Sequence, residues 1–318
     1  MMLRYFWYHF KETLFRLGIL IMFVCVCSFN LVSGDLFQYV DFSVMEGLSF
    51  GAALLIPVLE FRKFNIRRNL DTWFSLPIDR WKLALVHYIN GAIHVTAVVL
   101  TAFLFVATAL SEVKCTDWGG AFTYFMLMEL ATMLLYGFFC FAFTQANNTA
   151  DGCMFIMDYA MLPMVLNIWL LEDKEFRSLY SLMQEITGHY RRILIPGGED
   201  FYGYRYEMEV WTATSILGPF ALNAVICVAA TVLLFVFFQR RRTEKVDGIS
   251  DSWFGFRTLI PIMAVATLGE SIILDLVLFR IIMIVVAYMI YRKGKRFQPS
   301  DLVVIGTYSI VLILTGGL

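Results

Sequence analysis

Charge is scarce in this chain. Asp, Glu, Lys and Arg together make up 16% of its 318 residues, where a soluble domain carries about 25%. With a net charge of −1 the overall balance points to no acidic or basic partner, and no nucleic acid is expected. Several catalytic signatures are also missing. There is no GxxxxGK[ST] loop to cradle phosphates, no HExxH metal motif and no GxSxG nucleophile elbow. No CxxC or Cys/His spacing suits a metal. Five of the six cysteines (Cys25, Cys27, Cys140, Cys153 and Cys227) lie in apolar segments and only Cys115 in a polar connection, so no disulfide is expected. These absences predict a chain that is no enzyme and carries neither catalytic residues, metal nor cofactor of its own.

Apolar sequence is what the chain has in excess. Hydrophobic residues make up 59% of it, with 30 Phe and 16 Met, and the mean hydropathy is +0.70. A soluble fold has no place for that surplus, whereas a lipid-facing surface does. A membrane helix needs about 20 mostly apolar residues. Candidate spans are Leu17–Val32, Val44–Leu59, Leu83–Leu110, Ala121–Phe143, Cys153–Leu171 and Thr214–Phe238. Two shorter pieces fill Leu259–Tyr291, and a last one runs from Leu302 to Leu318. The expected fold is an all-α integral membrane protein, a polytopic helix bundle of about eight to nine transmembrane helices.

Ahead of the first span, Leu3, Phe6, Trp7, Phe10 and Leu14 recur at helical spacing, with Arg4, Lys11 and Glu12 off that stripe. Residues 1–16 are therefore expected as an interfacial amphipathic helix. A retained first span fits better than a cleaved signal, because the lead-in is long and aromatic and no small-x-small cleavage site follows. Placing the N-terminus in the cytosol puts 18 of the 25 Lys and Arg on inner connections and six on outer ones, as the positive-inside rule requires. The longest outer connection, 172–210, is acidic on balance. Its middle, Phe176–Ile195, reads as an amphipathic helix with Leu179, Leu182, Met183 and Ile186 on one side, ended by Pro196-Gly197-Gly198. Leu259–Tyr291 reads as an outward hairpin of two short spans, with one tilted helix as the competing reading. The chain stops in apolar sequence at Leu318, so a truncated form, or one continuing outside, is expected.

Polar residues inside apolar runs are the candidates for chemistry: Asn90, Glu129, Asp158, Asn167, Glu270, Asp275 and Arg280. A charged group at the helix centre costs about 2.5–3.5 kcal/mol on insertion scales, so each should find a partner or face water. Glu129 and Asp158 are the candidates for a translocation path, with helix-to-helix hydrogen bonding as the plainer role for Glu129. His87 and His94 are seven apart and share a helix face. No carboxylate stands at helical spacing beside them, which favours a packing role over a metal site.

The cytosolic connection 61–82 is the most informative segment. It carries Arg67, Arg68, Trp73, Phe74, Leu76, Pro77, Asp79, Arg80 and Trp81. Pro77 should end one short helix and Asp79 start the next. Aromatic and Arg side chains exposed together favour a docking surface.

The N-terminal interfacial segment, six core spans and the Ser75-Leu76-Pro77-Ile78-Asp79-Arg80-Trp81-Lys82-Leu83-Ala84 element together resemble the permease subunits of type-2 ABC exporters. The basic run Arg240-Arg241-Arg242-Thr243-Glu244-Lys245 is similar to the exit found in Gram-positive members. The resemblance covers residues 1–245, a six-span core over 17–245 with coupling loop 61–82 and external loop 172–210. Residues 246–318 add further spans, as in a larger variant. It implies a multi-pass protein of a bacterial plasma membrane that pairs with a cytosolic ABC ATPase and a second permease subunit, and exports a peptide, antibiotic or lipid-like molecule. The alternative is a non-ABC secondary carrier working through Glu129, Asp158 and Asp275, although no inverted repeat or broken helix is detected. An enzyme or sensor built around the external loop is the third class, but no nucleophile, base or ligand cluster supports it.

Overall fold

In lipid a backbone must satisfy its own hydrogen bonds, and a helix does so within one segment. The apolar runs of this chain accordingly fold as helices. The computed structural model describes residues 2–32, 42–67, 77–112, 117–170, 177–194, 213–240, 246, 248–250, 252–266, 274–294 and 296–316, with backbone only at 30–32, 112, 164–170, 213–216, 265–266, 274–280 and 314–316. The described helices are α1 (Met2–Val32), α2 (Ser43–Phe61), α3 (Arg80–Glu112), α4 (Trp118–Thr144), α5 (Thr149–Leu170), α6 (Leu179–Leu194), α7 (Ala213–Arg240), α8 (Phe256–Ala266), α9 (Leu274–Arg292) and α10 (Pro299–Gly316). A 3-10 turn, Arg62–Asn65, extends α2. Among the described residues there is no strand.

Among the described residues five stretches are long and apolar enough to cross a membrane: Met2–Phe29, Ser43–Asn65, Arg80–Ser111, Trp118–Thr144 and Leu217–Arg240. Ile281–Arg292 and Pro299–Ile313 are apolar but shorter. The sequence-expected spans Cys153–Leu171 and Leu302–Leu318 fall on helices α5 and α10. Leu259–Tyr291 forms two helices, α8 and α9, instead of one tilted rod.

The lead-in and first span are a single helix, unbroken from Met2 to Val32. Its apolar stripe faces outward, with Leu3, Trp7 and Leu14 exposed, whereas His9 and Thr13 are buried. At these positions the apolar side chains lie outside and the polar ones inside, the reverse of a helix on a water-soluble core. Only 17% of the most apolar window of α1 and of α7 is buried, against 61% for α4, so α4 is the enclosed helix and the other two offer broad apolar faces.

The chain divides into two compact units. The first comprises Met1–Phe61, Leu76–Phe141 and Arg177–Arg240. Within it α3 is the hub, packed by α1, α2 and α7, and α6 lies against α2 and α7. The buried face of α2 recurs at helical spacing through Met45, Ser49, Ala52, Ile56 and Glu60. Pro57 sits inside this helix and leaves the Ala53 carbonyl without its usual N–H donor one turn before Glu60. Helix α6 matches its sequence pattern, since Leu179, Leu182, Met183 and Ile186 are all buried. The Ser178 hydroxyl caps it, accepting from the Ser181 amide at 3.0 Å.

The second unit comprises Arg62–Ser75, Ala142–Phe176 and Arg241–Leu318. Its core gathers Phe155, Phe256, Leu259, Tyr288, Tyr291 and Leu312. Asn148 caps α5, accepting from the Asp151 amide at 2.7 Å. Asn147 Nδ2 donates to the Ile249 carbonyl at 2.7 Å, and the Ser250 hydroxyl donates to Asp151 at 2.5 Å. This turn is therefore laced to the segment ahead of α8. Helix α9 ends at Gly294, whose φ of +74° is left-handed and open to glycine. Its amide reaches the Met289 carbonyl at 3.3 Å, a glycine stop that closes the last turn.

Candidate functional site

A buried polar cluster of the first unit is built around Glu60, in the last turn of α2. Its side chain is fully buried, and three helices supply its surroundings. From α1 come Tyr5, His9, Thr13 and Arg16, at i, i+4, i+8 and i+11, one side of a helix. From α3 come His87 and Asn90, three apart on its inner face.

The two carboxylate oxygens have different partners. Oε1 accepts from the Arg16 guanidinium and from Asn90 Nδ2, the latter at 3.0 Å. Oε2 faces His9 Nε2 at 3.0 Å and His87 Nδ1 at 3.3 Å. Asn90 Nδ2 also reaches the Thr13 hydroxyl at 3.1 Å, and that hydroxyl donates to the Phe10 carbonyl at 3.0 Å. Arg16 donates in addition to the Leu59 carbonyl at 3.0 Å. That carbonyl belongs to the end of a helix, where acceptors lack intrahelical donors and positive charge is favoured.

The outer nitrogens of both histidines are also placed. His87 Nε2 lies 3.0 Å from the Tyr5 hydroxyl, and His9 Nδ1 lies 3.5 Å from the Glu12 carboxylate. The two imidazoles approach to 4.1 Å between ring centroids, and Tyr5 stacks on His9. Phe61 packs near His87. A desolvated carboxylate needs charge and hydrogen-bond compensation to stay ionised. Arg16 supplies the charge, and Asn90 and the imidazoles the rest.

Gly91 completes the wall. A Cβ there would strike the Tyr136 hydroxyl and press on the Glu60 side chain. Tyr136, fully buried on α4, donates to the Tyr88 carbonyl at 3.0 Å across the space that Gly91 leaves open. The glycine is therefore a requirement of close approach.

The sequence singled out His87 and His94 as a pair. The structure separates them. His94 Nδ1 turns back to the Asn90 carbonyl at 2.6 Å, and its Nε2 is buried with no hydrogen bond among the described residues. No carboxylate stands at helical spacing beside His87, but Glu60 reaches it from another helix. Sequence reasoning missed His9, Thr13, Arg16 and Glu60 as site residues. The available signal was the polar stripe of α1, which has the same period as the apolar stripe and lies on its other side.

The expected path residues fall in different units. Glu129 is half-buried in the first, where Thr96 donates to its Oε1 at 2.7 Å and its Oε2 has no partner among the described residues. Asp158 is half-buried on α5 in the second. The side chains of Asn167, Glu270, Asp275 and Arg280 lie outside the described residues. Of the docking residues, Arg68, Trp73, Phe74 and Leu76 also lie outside them. Arg67 is exposed. Pro77 stands in a bend and Asp79 directly precedes α3, its carbonyl accepting from the Leu83 amide at 3.0 Å and its carboxylate pairing with Lys82 at 2.5 Å. Arg80 opens α3, and Trp81 is exposed beside it.

The second unit holds a cavity of about 290 Å³ lined by Arg257, Tyr288, Arg292, Gln298 and Asp301. Its charged groups largely satisfy one another: Arg292 is bidentate to Asp301, both bonds at 2.7 Å, and also reaches Gln298 at 2.9 Å. The five described cysteines are free, and Cys115 lies outside the described residues.

No protein-family profile, no curated protein and no solved structure matches this chain.

Proposed function

We propose that the chain is the membrane permease subunit of a bacterial ABC exporter, set in the plasma membrane and driven by a separate cytosolic ATPase. The observation that carries this reading is the position of the Glu60 cluster. Glu60 lies two residues before the basic turn that opens the 62–79 connection, and His87 lies two turns into the helix that follows it. Both meet on α1. A force applied to the connection by a docked ATPase would therefore reach three helices together. Loosely packed stems would absorb it instead. The Ser75–Ala84 resemblance and the exposed Trp81 beside Arg80 support docking there.

On this reading the N-terminus is cytosolic, a second permease subunit completes the path, and a peptide, antibiotic or lipid-like substrate leaves between the two. The test is co-purification in mild detergent. An ABC ATPase should accompany the wild-type chain, and Trp73→Ala combined with Phe74→Ala should release it or uncouple its hydrolysis. Recovery of the wild-type chain without any ATPase, or an unaltered complex and coupling in the double variant, overturns the reading.

A second reading, a secondary carrier, is favoured by Glu129, whose Oε2 is buried and unpartnered among the described residues. An unsatisfied carboxylate at membrane depth is the kind of group that loads and releases a proton. Ion-gradient-driven uptake in proteoliposomes without ATP, abolished by Glu129→Gln, would select this reading over the first.

A further inference from the structure

We infer that His9 Nε2, His87 Nδ1 and Glu60 Oε2 form a binding site for one divalent transition-metal ion of the zinc class. These three donor atoms come from three helices, all belong to buried residues and lie within 4.8 Å of one another. Two imidazoles and a carboxylate are a ligand set that suits zinc, with a fourth position left for a non-protein ligand. The same donors suit copper, nickel or iron in preference to calcium or magnesium, which prefer all-oxygen shells.

Distances carry the argument further. In a tetrahedral site with bonds of about 2.0–2.1 Å, neighbouring ligand atoms stand about 3.3 Å apart. The two imidazole nitrogens stand 3.0 and 3.3 Å from the shared carboxylate oxygen. The Arg16 and Asn90 contacts occupy Oε1 and leave Oε2 to the histidines, so Glu60 presents a single oxygen.

The outer contacts bear on the tautomers. A metal-bound histidine donates its other N–H to a carboxylate, carbonyl or similar acceptor. His9 Nδ1 points at the Glu12 carboxylate and His87 Nε2 at the Tyr5 hydroxyl. His87 thus has a hydrogen-bond partner on its outer side and His9 a carboxylate at 3.5 Å, and either ring can turn a lone pair toward Oε2. The Arg16 charge opposes a dication, and the Glu12 carboxylate across His9 offsets it. Bound here, the ion would act as a clip joining α1, α2 and α3 at one point.

The competing chemistry is an imidazolium at His9, donating to Glu12 and Glu60 with no metal at all. The test uses the full-length chain in detergent, stripped with a chelator and titrated with Co²⁺ and then Zn²⁺. One equivalent of Co²⁺ should give visible ligand-field absorption of low-symmetry, four-coordinate type, displaced by one equivalent of Zn²⁺, and either ion should raise the thermal unfolding midpoint. His9→Gln and His87→Gln should lose both effects, whereas His189→Gln on α6 should keep them. Should the ligand variants fail to fold, Glu12→Gln keeps every ligand and should weaken Co²⁺ about tenfold through the lost outer contact. A wild-type protein that shows neither absorption nor a thermal shift overturns the site, as does Co²⁺ binding that survives both histidine substitutions. None of these readings depends on transport, so the metal site and the exporter reading fail separately.

Discussion

His9 on α1 and Glu60 on α2 are 51 residues apart in sequence and 3.0 Å apart in space, and both are buried. That contact fastens the first two membrane helices to each other, and His87 brings in the third at the same oxygen, 3.3 Å away. Its energetics rest on the charge pair beneath it, between Arg16 and Glu60.

Removing one member of that pair leaves the other charge stranded. Glu60→Gln keeps the shape and an oxygen for Asn90 but strips Arg16 of its counter-charge. The expected cost is about 3–5 kcal/mol, read as a lower unfolding midpoint in detergent. The double variant Arg16→Gln with Glu60→Gln should recover part of that loss, because no uncompensated charge remains. A double-mutant cycle with no coupling between the two positions would show that the pair contributes nothing.

Gly91→Ala tests the packing wall. The added methyl meets the Tyr136 ring and hydroxyl and the Glu60 side chain, and overpacking of this kind costs about 1–3 kcal/mol. Tyr136→Phe removes the oxygen that the methyl strikes first. It should restore part of the stability of Gly91→Ala while destabilising the wild-type background through loss of the Tyr88 bond. Equal thermal midpoints for Gly91→Ala and wild type would mean that the helices separate freely there.

Acid should weaken the second unit through Asp301. Burial pushes its carboxyl up, but hydrogen bonds from Arg292 and the Gln298 amide, together with the Arg292 charge, outweigh that and hold it below its usual value. A depressed folded value means stability that is present above the unfolded carboxylate value of about 3.9 and is lost as pH falls through the folded one. Asp301→Asn should therefore lower stability at neutral pH and flatten the acid limb of the unfolding curve. Wild type and variant falling in parallel below pH 4 would exclude Asp301 as the source.

Orientation is open to labelling. The proposed orientation, with the N-terminus and the 61–82 connection in the cytosol, rests on the excess of Lys and Arg on alternate connections. Cysteine introduced at Gly198 should react with an impermeant thiol reagent in intact cells, and cysteine introduced at Asn69 should not. Labelling at Asn69 alone would invert the arrangement.

The sequence was most legible where one face of a helix meets protein and the other does not. Helix α6 shows this: its apolar residues are the buried ones, and its limits lie close to those expected. The start of α3 was legible because Pro77 and Asp79 have local backbone consequences. On α1 the same reasoning gave the apolar stripe but not the role of the polar side opposite it, where His9 and Thr13 are buried. The Glu60 cluster was legible only as the polar stripe of α1. Its members are spread over residues 5–90, none is unusual in its own helix, and spacing along one helix says nothing about a carboxylate arriving from another.

The cluster also has an order of assembly. A chain enters the membrane from its N-terminal end, so Arg16 and then Glu60 must be accommodated before α3 has been made. Each alone is costly to place in lipid. As a pair they neutralise one another, which makes the α1–α2 hairpin the first arrangement able to persist during synthesis. His87 and Asn90 then arrive on α3 to a partly formed cradle. A substitution at Arg16 or Glu60 is therefore expected to lower the amount of protein inserted as well as the stability of what folds.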